Sequence, residues 1–428
     1  MSRLNDIAHR IVRTEFASGI VDDPPKGRVV DPFRGADTAQ SVAEQGSVLL
    51  KNAGNQLPLS APLVTSIAII GSHADTSVLS GGGSAQVDPP GGGASQFGGP
   101  AIWFPSSPMK AIAKKIPNAK VRYNDGADPA AAAALAKASQ VAIVFVNEPT
   151  SEGRDLRSLN LTNNQDDLVS AVAAANSHTI VVLETGGPAA MPWIDKVSAA
   201  IEIWYPGIRG GEALANILFG DVNPCGKLPA TFAKADADLP HPVLFGPPPV
   251  PAAPTAGGAP PAGGRGGAPD AAPGAGPVRG RGMMAPFDID YTEGLKVGYK
   301  WFDAENKEPL FPFGFGLSYA TFAYSGLKAG TDSVSFTIRN TGKRAGAEIA
   351  QVYVGLPPAA QEPPKRLVAW EKVELKPGET RTVTLKLEPK LLSIFNEQKD
   401  DWEFLPGQYK FFVGGSSRST PLTASVTK

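Results

Sequence analysis

Val141-Ala142-Ile143-Val144-Phe145-Val146 is an unbroken apolar run, and Asn147-Glu148-Pro149-Thr150-Ser151-Glu152-Gly153-Arg154-Asp155 follows it at once. A short, continuously apolar segment rich in β-branched residues fits a strand buried on both faces. In α/β proteins the loop just beyond the carboxyl end of such a strand is where ligands and reacting groups are held. Two further apolar segments follow at 179–183 and 199–204, and the stretch closes on Gly220-Asp221-Val222-Asn223-Pro224-Cys225-Gly226-Lys227-Leu228-Pro229.

Upstream of this run, strand patterns recur at 66–71 and 120–123, and helical patterns lie at 108–116, 129–138, 165–175 and 211–219. Strands alternating with helices predict a parallel sheet covered on both faces, an α/β/α sandwich over 39–233. Before it, 1–16 reads as an amphipathic helix carrying Leu4, Ile7, Ile11 and Phe16. A linker through Asp23-Pro24-Pro25 completes a segment 1–38, and a second helix is expected over 38–52 with Val42, Leu49 and Leu50 inward.

Downstream the composition changes. Residues 247–286 are almost wholly Gly, Pro and Ala with scattered Arg, and the surrounding segment 234–290 is expected to be a largely disordered insert, because it has too little apolar surface to offset its ordering entropy. After a connecting segment, 291–321, the pattern turns to period-two alternation, as in Ser333-Val334-Ser335-Phe336-Thr337-Ile338 and Tyr409-Lys410-Phe411-Phe412-Val413. About seven short strands over 322–428, with turn signals such as Lys376-Pro377-Gly378-Glu379, predict an immunoglobulin-like, all-β sandwich of fibronectin type III-like kind.

Bulk properties narrow the function. Lys plus Arg number 40 and Asp plus Glu 41, a net charge of -1, which argues against nucleic acid or an anionic membrane as partner. No apolar run reaches the roughly 18 residues of a membrane span. The single cysteine, Cys225, excludes an internal disulfide and reads as a turn residue. The four histidines (His9, His73, His178, His241) show no metal-ligand spacing, and neither a GxxxxGK[ST] loop nor a dinucleotide fingerprint is present. No metal or cofactor is expected.

Several stretches, in order, resemble the signatures of family 3 glycoside hydrolases, the β-glucosidases and β-xylosidases. They are 43–52 (AEQGSVLLKN) with Leu57-Pro58-Leu59, then Gly81-Gly82-Gly83-Ser84-Ala85, Trp204-Tyr205-Pro206-Gly207 with Gly210-Gly211, and Phe219-Gly220-Asp221-Val222-Asn223-Pro224. Beyond the insert come Tyr291-Thr292-Glu293-Gly294 with Val297-Gly298-Tyr299, and Phe311-Pro312-Phe313-Gly314-Phe315-Gly316-Leu317-Ser318-Tyr319. The resemblance implies the C-terminal part of such an enzyme. In that family a preceding (β/α)8-type barrel of about 250 residues supplies the nucleophilic aspartate. Here only a segment resembling the barrel's last helix precedes the linker. The resemblance therefore implies a barrel partner, in cis or in trans, and a β-linked glycoside or oligosaccharide as substrate.

It also implies site residues. Counted back from Leu159-Asn160-Leu161-Thr162, the general acid/base position is Glu152, with Glu148 the runner-up. The loop Gly82, Gly83, Ser84 and the strand-end His73 are the implied substrate contacts. Beside this stand plainer readings: Glu152 as a solvated carboxylate paired with Arg154 or Arg157, the Gly loop as a turn without ligand, Asp155 bonding its own loop, and Trp193 and Trp204 as core. Two other functions are carried, a non-catalytic carbohydrate-binding or scaffolding module, and a nucleotide-binding domain using the Gly loop. The compartment stays open; 2–10 hold no signal-type apolar core, while the resemblance points to the periplasm or cell exterior.

Overall fold

The computed structural model describes residues 2–27, 31, 33–83, 106–148, 150–152, 156–242 and 290–428. The Gly/Pro/Ala run 247–286, together with Ser84, Arg154 and Asp155, lies outside the described residues.

The first half runs α1 (Ser2–Ala17), α2 (Ala36–Gly46), β1 (Val48–Asn52), β2 (Ser66–Ile70), α3 (Pro108–Lys115), β3 (Lys120–Asn124), α4 (Pro129–Lys137), β4 (Val141–Asn147), α5 (Gln165–Ala175), β5 (Thr179–Glu184), β6 (Ala199–Glu202) and α6 (Gly210–Phe219). Local signals place several helix ends. The Asp128 side chain accepts from the Ala130 and Ala131 amides at the start of α4, Ser107 does the same for Lys110 in α3, and a proline fills the first turn of each. Gly220, at φ 79°, ends α6.

The sheet order is β1-β6-β5-β4-β2-β3. The five strands β2 to β6 are parallel, and β1 joins the β6 edge antiparallel. The chain passes from β2 to β3 on one side and then crosses back to β4 on the other side of β2, a reversal that opens a crevice beyond the carboxyl ends of β2 and β4. Alternation along the strands feeds two cores. Ala68 and Ile70 pack with α4 and α5 on one face, whereas Ile67 and Ile69 pack with α3 and α6 on the other.

Two expectations are corrected. The helix expected over 38–52 stops at Gly46, and Val48, Leu49 and Leu50 enter the sheet instead. The Ser47 hydroxyl and amide both bond the Ala43 carbonyl and close the helix. All three apolar residues are buried because a strand between two helical layers needs no polar face. The segment expected as strand to 204 ends at Glu202, where Trp204 takes a positive φ of 58°.

The second half begins with α7 (Tyr299–Ala304). It continues with β7 (Phe322–Ala329), β8 (Ser333–Asn340), β9 (Gly346–Gly355), β10 (Arg366–Leu375), β11 (Thr380–Lys386), β12 (Ile394–Asn396), β13 (Asp401–Glu403), β14 (Gln408–Gly414) and β15 (Leu422–Thr427). A four-stranded sheet β10-β9-β14-β15 faces a three-stranded sheet β11-β8-β7, and β12-β13 forms a separate hairpin. Phe336, Ile338, Val352, Tyr409 and Phe411 fill the space between the two sheets. Segment 311–317 binds this sandwich to the α/β unit: Leu317 donates its amide to the Leu49 carbonyl, and Leu228 to that of Phe315, both at 2.8 Å. Among the described residues no helix is long and apolar enough to cross a membrane.

Candidate active site at the carboxyl edge of the sheet

The loops that follow β2, β4, β5 and β6 converge above the crevice. Gly82 forms a parallel bridge with Ser151. Its amide donates to the Thr150 carbonyl (2.9 Å), and the Glu152 amide donates back to the Gly82 carbonyl (3.3 Å). Gly83, at φ +92°, lies so close that a Cβ there would collide with Cβ of Glu152. Three predicted site residues, Gly82, Gly83 and Glu152, therefore form one unit, with the Glu152 side chain exposed on its rim. Glycine is needed at 83 on two counts, conformation and space.

His73 lies deeper. Its Nδ1 bonds the Ser72 hydroxyl at 2.9 Å and the Asn147 amide group, and burial lowers its pKa. As an acceptor at Nδ1 the ring is neutral and keeps its proton on Nε2. Gln165 fixes Asn147 in turn, accepting from its amide and donating to its carbonyl, each at 2.8 Å.

Next to Asn147 is Glu148, only 2% exposed. Burial, assisted by the charge of Asp166, raises its pKa to about 7. That is the range of a general acid, but the carboxyl is sealed from a large substrate in this arrangement. Trp193 is fully buried and donates its indole N–H to Asp166 at 2.7 Å. Trp204 donates to the Gly46 carbonyl and meets Phe232 edge-on. Trp193 belongs to the core, and Trp204 packs against it while only partly buried.

Two buried carboxyls at the ends of neighbouring strands escaped the sequence reading. Glu184 accepts from the Ser77 hydroxyl at 2.5 Å and the Val78 amide at 3.3 Å, and burial lifts its pKa to about 7. Glu202 accepts from the Trp204 amide at 2.8 Å, and burial lifts its pKa to about 8. The Thr185 hydroxyl is 2.8 Å from both Glu202 and the Gly187 carbonyl. It has one proton to give, so a protonated Glu202 supplies the other bond. These groups shape the turns after β2, β5 and β6. The available signal was a lone Glu embedded in each of two apolar runs, Val181-Val182-Leu183-Glu184-Thr185 and Ala200-Ile201-Glu202-Ile203-Trp204.

Tyr205 joins the loops. Its hydroxyl donates to the Glu148 carbonyl at 2.5 Å and accepts from the Thr150 amide at 3.2 Å and the Thr150 hydroxyl at 2.6 Å. Among the described residues no cluster of three His, Cys, Asp or Glu side chains is arranged to hold a metal ion.

Comparison with known proteins gives consistent results. A family model described as the glycosyl hydrolase family 3 C-terminal domain matches residues 47–319, and a fibronectin type III-like domain model matches 348–417. Thermostable beta-glucosidase B of Acetivibrio thermocellus is 32% identical over 450 residues, covering 99% of this chain and 52% of that protein. Beta-glucosidase B of Emericella nidulans is 39% identical over 298 residues, covering 66% of this chain and 32% of that protein. Among solved structures, DesR, a beta-glucosidase from Streptomyces venezuelae in complex with D-glucose, superposes with a TM-score of 0.78 at 28% identity over 97% of this chain and 63% of that one. The chain spans about half the length of the first of these relatives and a third of the second.

Proposed function

Because the chain belongs to glycoside hydrolase family 3, we propose that it serves the retaining hydrolysis of β-linked glucosides, contributing the general acid/base. The nucleophilic carboxylate is to come from a barrel domain, in cis or in trans. Glu152 is the proton donor in this reading. The observation that carries it is the fixed main chain of Glu152 on Gly82, which leaves the carboxyl exposed at the crevice where an opposing lobe would close.

Retaining hydrolysis needs two carboxyl groups about 5–5.5 Å apart across the glycosidic bond. One attacks the anomeric carbon while the other protonates the leaving oxygen, then takes a proton from water in the second step. An exposed glutamate is a poor acid at neutral pH. Covering it with a partner surface and a second carboxylate raises its pKa toward the working range. Gly82 and Gly83 give the sugar close access to this edge, and His73 lends its Nε2–H as a donor from the crevice floor. Ser84 belongs to the same proposed contact set on sequence grounds.

The test mixes the purified chain with a family 3 barrel and follows aryl β-glucosides whose leaving groups differ in basicity. Glu152→Ala is expected to lose most of kcat/KM on poor leaving groups and little on activated ones, while kcat on activated substrates falls because the base of the second step is gone. An activity profile untouched by Glu152→Ala would remove the assignment. The near-complete burial of Glu148, the carboxyl with the acid-like pKa, favours a second reading, a non-catalytic carbohydrate-binding module. Sugar binding by calorimetry with no hydrolysis in any mixture would select it.

A further inference from the structure

We propose that Tyr205 is a positioning residue that sets the acid/base loop, and with it the Glu152 carboxyl, against the sheet edge. The inference rests on the reading of Glu152 above only where activity is concerned; the loop contacts stand by themselves.

The phenol oxygen makes three hydrogen bonds to one short stretch, to the carbonyl of Glu148 and to the amide and hydroxyl of Thr150. They use the one donor and both acceptor positions of a phenol. Thr150 is two residues before Glu152, and its carbonyl receives the Gly82 amide. The same side chain lies close against two other loops: a Cβ on Gly81 or on Gly186 would come within 3.1 Å of it. A single side chain therefore touches the loops that follow β2, β4 and β5.

Its own placement is built in. Tyr205 follows the positive-φ residue Trp204, whose amide is held by the buried carboxyl of Glu202. The backbone turn folds the tyrosine back over the strand ends. A core tyrosine with only a packing role would need one partner for its hydroxyl; this one spends all its bonding capacity on the loop that leads to Glu152.

Tyr205→Phe keeps the ring and removes the bonds. In the full chain, amide hydrogen exchange at 150–152 is expected to speed up about five- to tenfold, what the loss of one or two hydrogen bonds gives. Exchange in β4 and β5 should not change. Thr150→Val, a second variant, should act in the same direction, and the double variant should add little. In the mixture with a barrel, Tyr205→Phe should depress kcat/KM more for poor leaving groups than for activated ones. Unaltered exchange at 150–152, or an equal loss of kcat/KM for all leaving groups, would overturn the proposal. Faster exchange combined with an indifferent Glu152→Ala would instead retain Tyr205 as the loop's anchor and discard Glu152 as the acid.

Discussion

Lys227 Nζ lies 2.7 Å from Glu348 Oε1 across the seam between the α/β unit and the β-sandwich, with both side chains about a tenth exposed. The same ammonium donates to the Gly316 carbonyl at 2.8 Å in the connecting segment. Burial raises the Glu348 pKa, and Lys227 opposes that rise. Removing one partner of a buried pair leaves the other charge stranded, which costs about 3–5 kcal/mol, whereas replacing both with apolar groups is often near neutral. Lys227→Met is therefore expected to lower the denaturation midpoint strongly, and the Lys227→Met, Glu348→Leu double variant to recover most of the loss. A single variant as stable as the wild type would show that the seam does not depend on this pair.

The buried carboxyls give stability a definite pH dependence. The pKa values of Glu148 and Glu184 are raised to about 7 and that of Glu202 to about 8, above the ordinary glutamate value of 4.5. Between 4.5 and these values the folded chain holds protons that the unfolded chain has released. Stability from these groups is complete below the unfolded pKa and drains away as pH rises through the folded values. Urea midpoints are expected to fall from about pH 5 to about pH 8 and then level off. Glu184→Gln should flatten part of that slope. A midpoint that is constant or rising across the window would contradict the assignment of these groups as protonated in the fold.

Most strands and helices were legible because their signals are local. β4 and β5 are continuous apolar runs, and α3 and α4 carry their own caps. The site was legible in part. Motif order singled out Glu152 and the Gly82–Gly83 pair, which the fold brings together, but not the groups that hold their loops. Ser77 and Glu184 are 107 positions apart, and Thr150 and Tyr205 are 55 apart, so no window along the chain contains either pair. The antiparallel edge strand β1 was hidden for a related reason. An apolar triplet after a helix reads as more helix until a partner such as β6 is there to pair with it.

Gly83 offers a sharp test of the Glu152 geometry. Its φ of +92° and its contact with Cβ of Glu152 exclude any side chain without displacement of the glutamate. The loop is exposed, so Gly83→Ala should move the melting temperature by only a few degrees. Its effect on glycoside cleavage in the barrel mixture should approach that of Glu152→Ala, at least tenfold in kcat for poor leaving groups, about 1.4 kcal/mol of barrier. Full activity in Gly83→Ala would mean that the Glu152 position is not set by this contact.

The helix α1 tests the partner. None of its residues is buried, and Leu4, Ile7, Ile11 and Phe16 stand between 47% and 63% exposed. Leu4, Ile7 and Ile11 recur at helical spacing on one open face, and Phe16, five residues beyond Ile11, stands on another side of the helix; exposed large apolar groups of this kind mark an interaction surface. If the helix docks a barrel, replacing the four with Ser, Gln, Lys and Gln should abolish co-elution with the barrel and all glycosidase activity in the mixture. The chain's own thermal unfolding should be unchanged, since the substituted residues lose no burial within it. A variant that unfolds at markedly lower temperature would assign the face to the chain's own packing, and one that still binds the barrel would move the docking surface elsewhere.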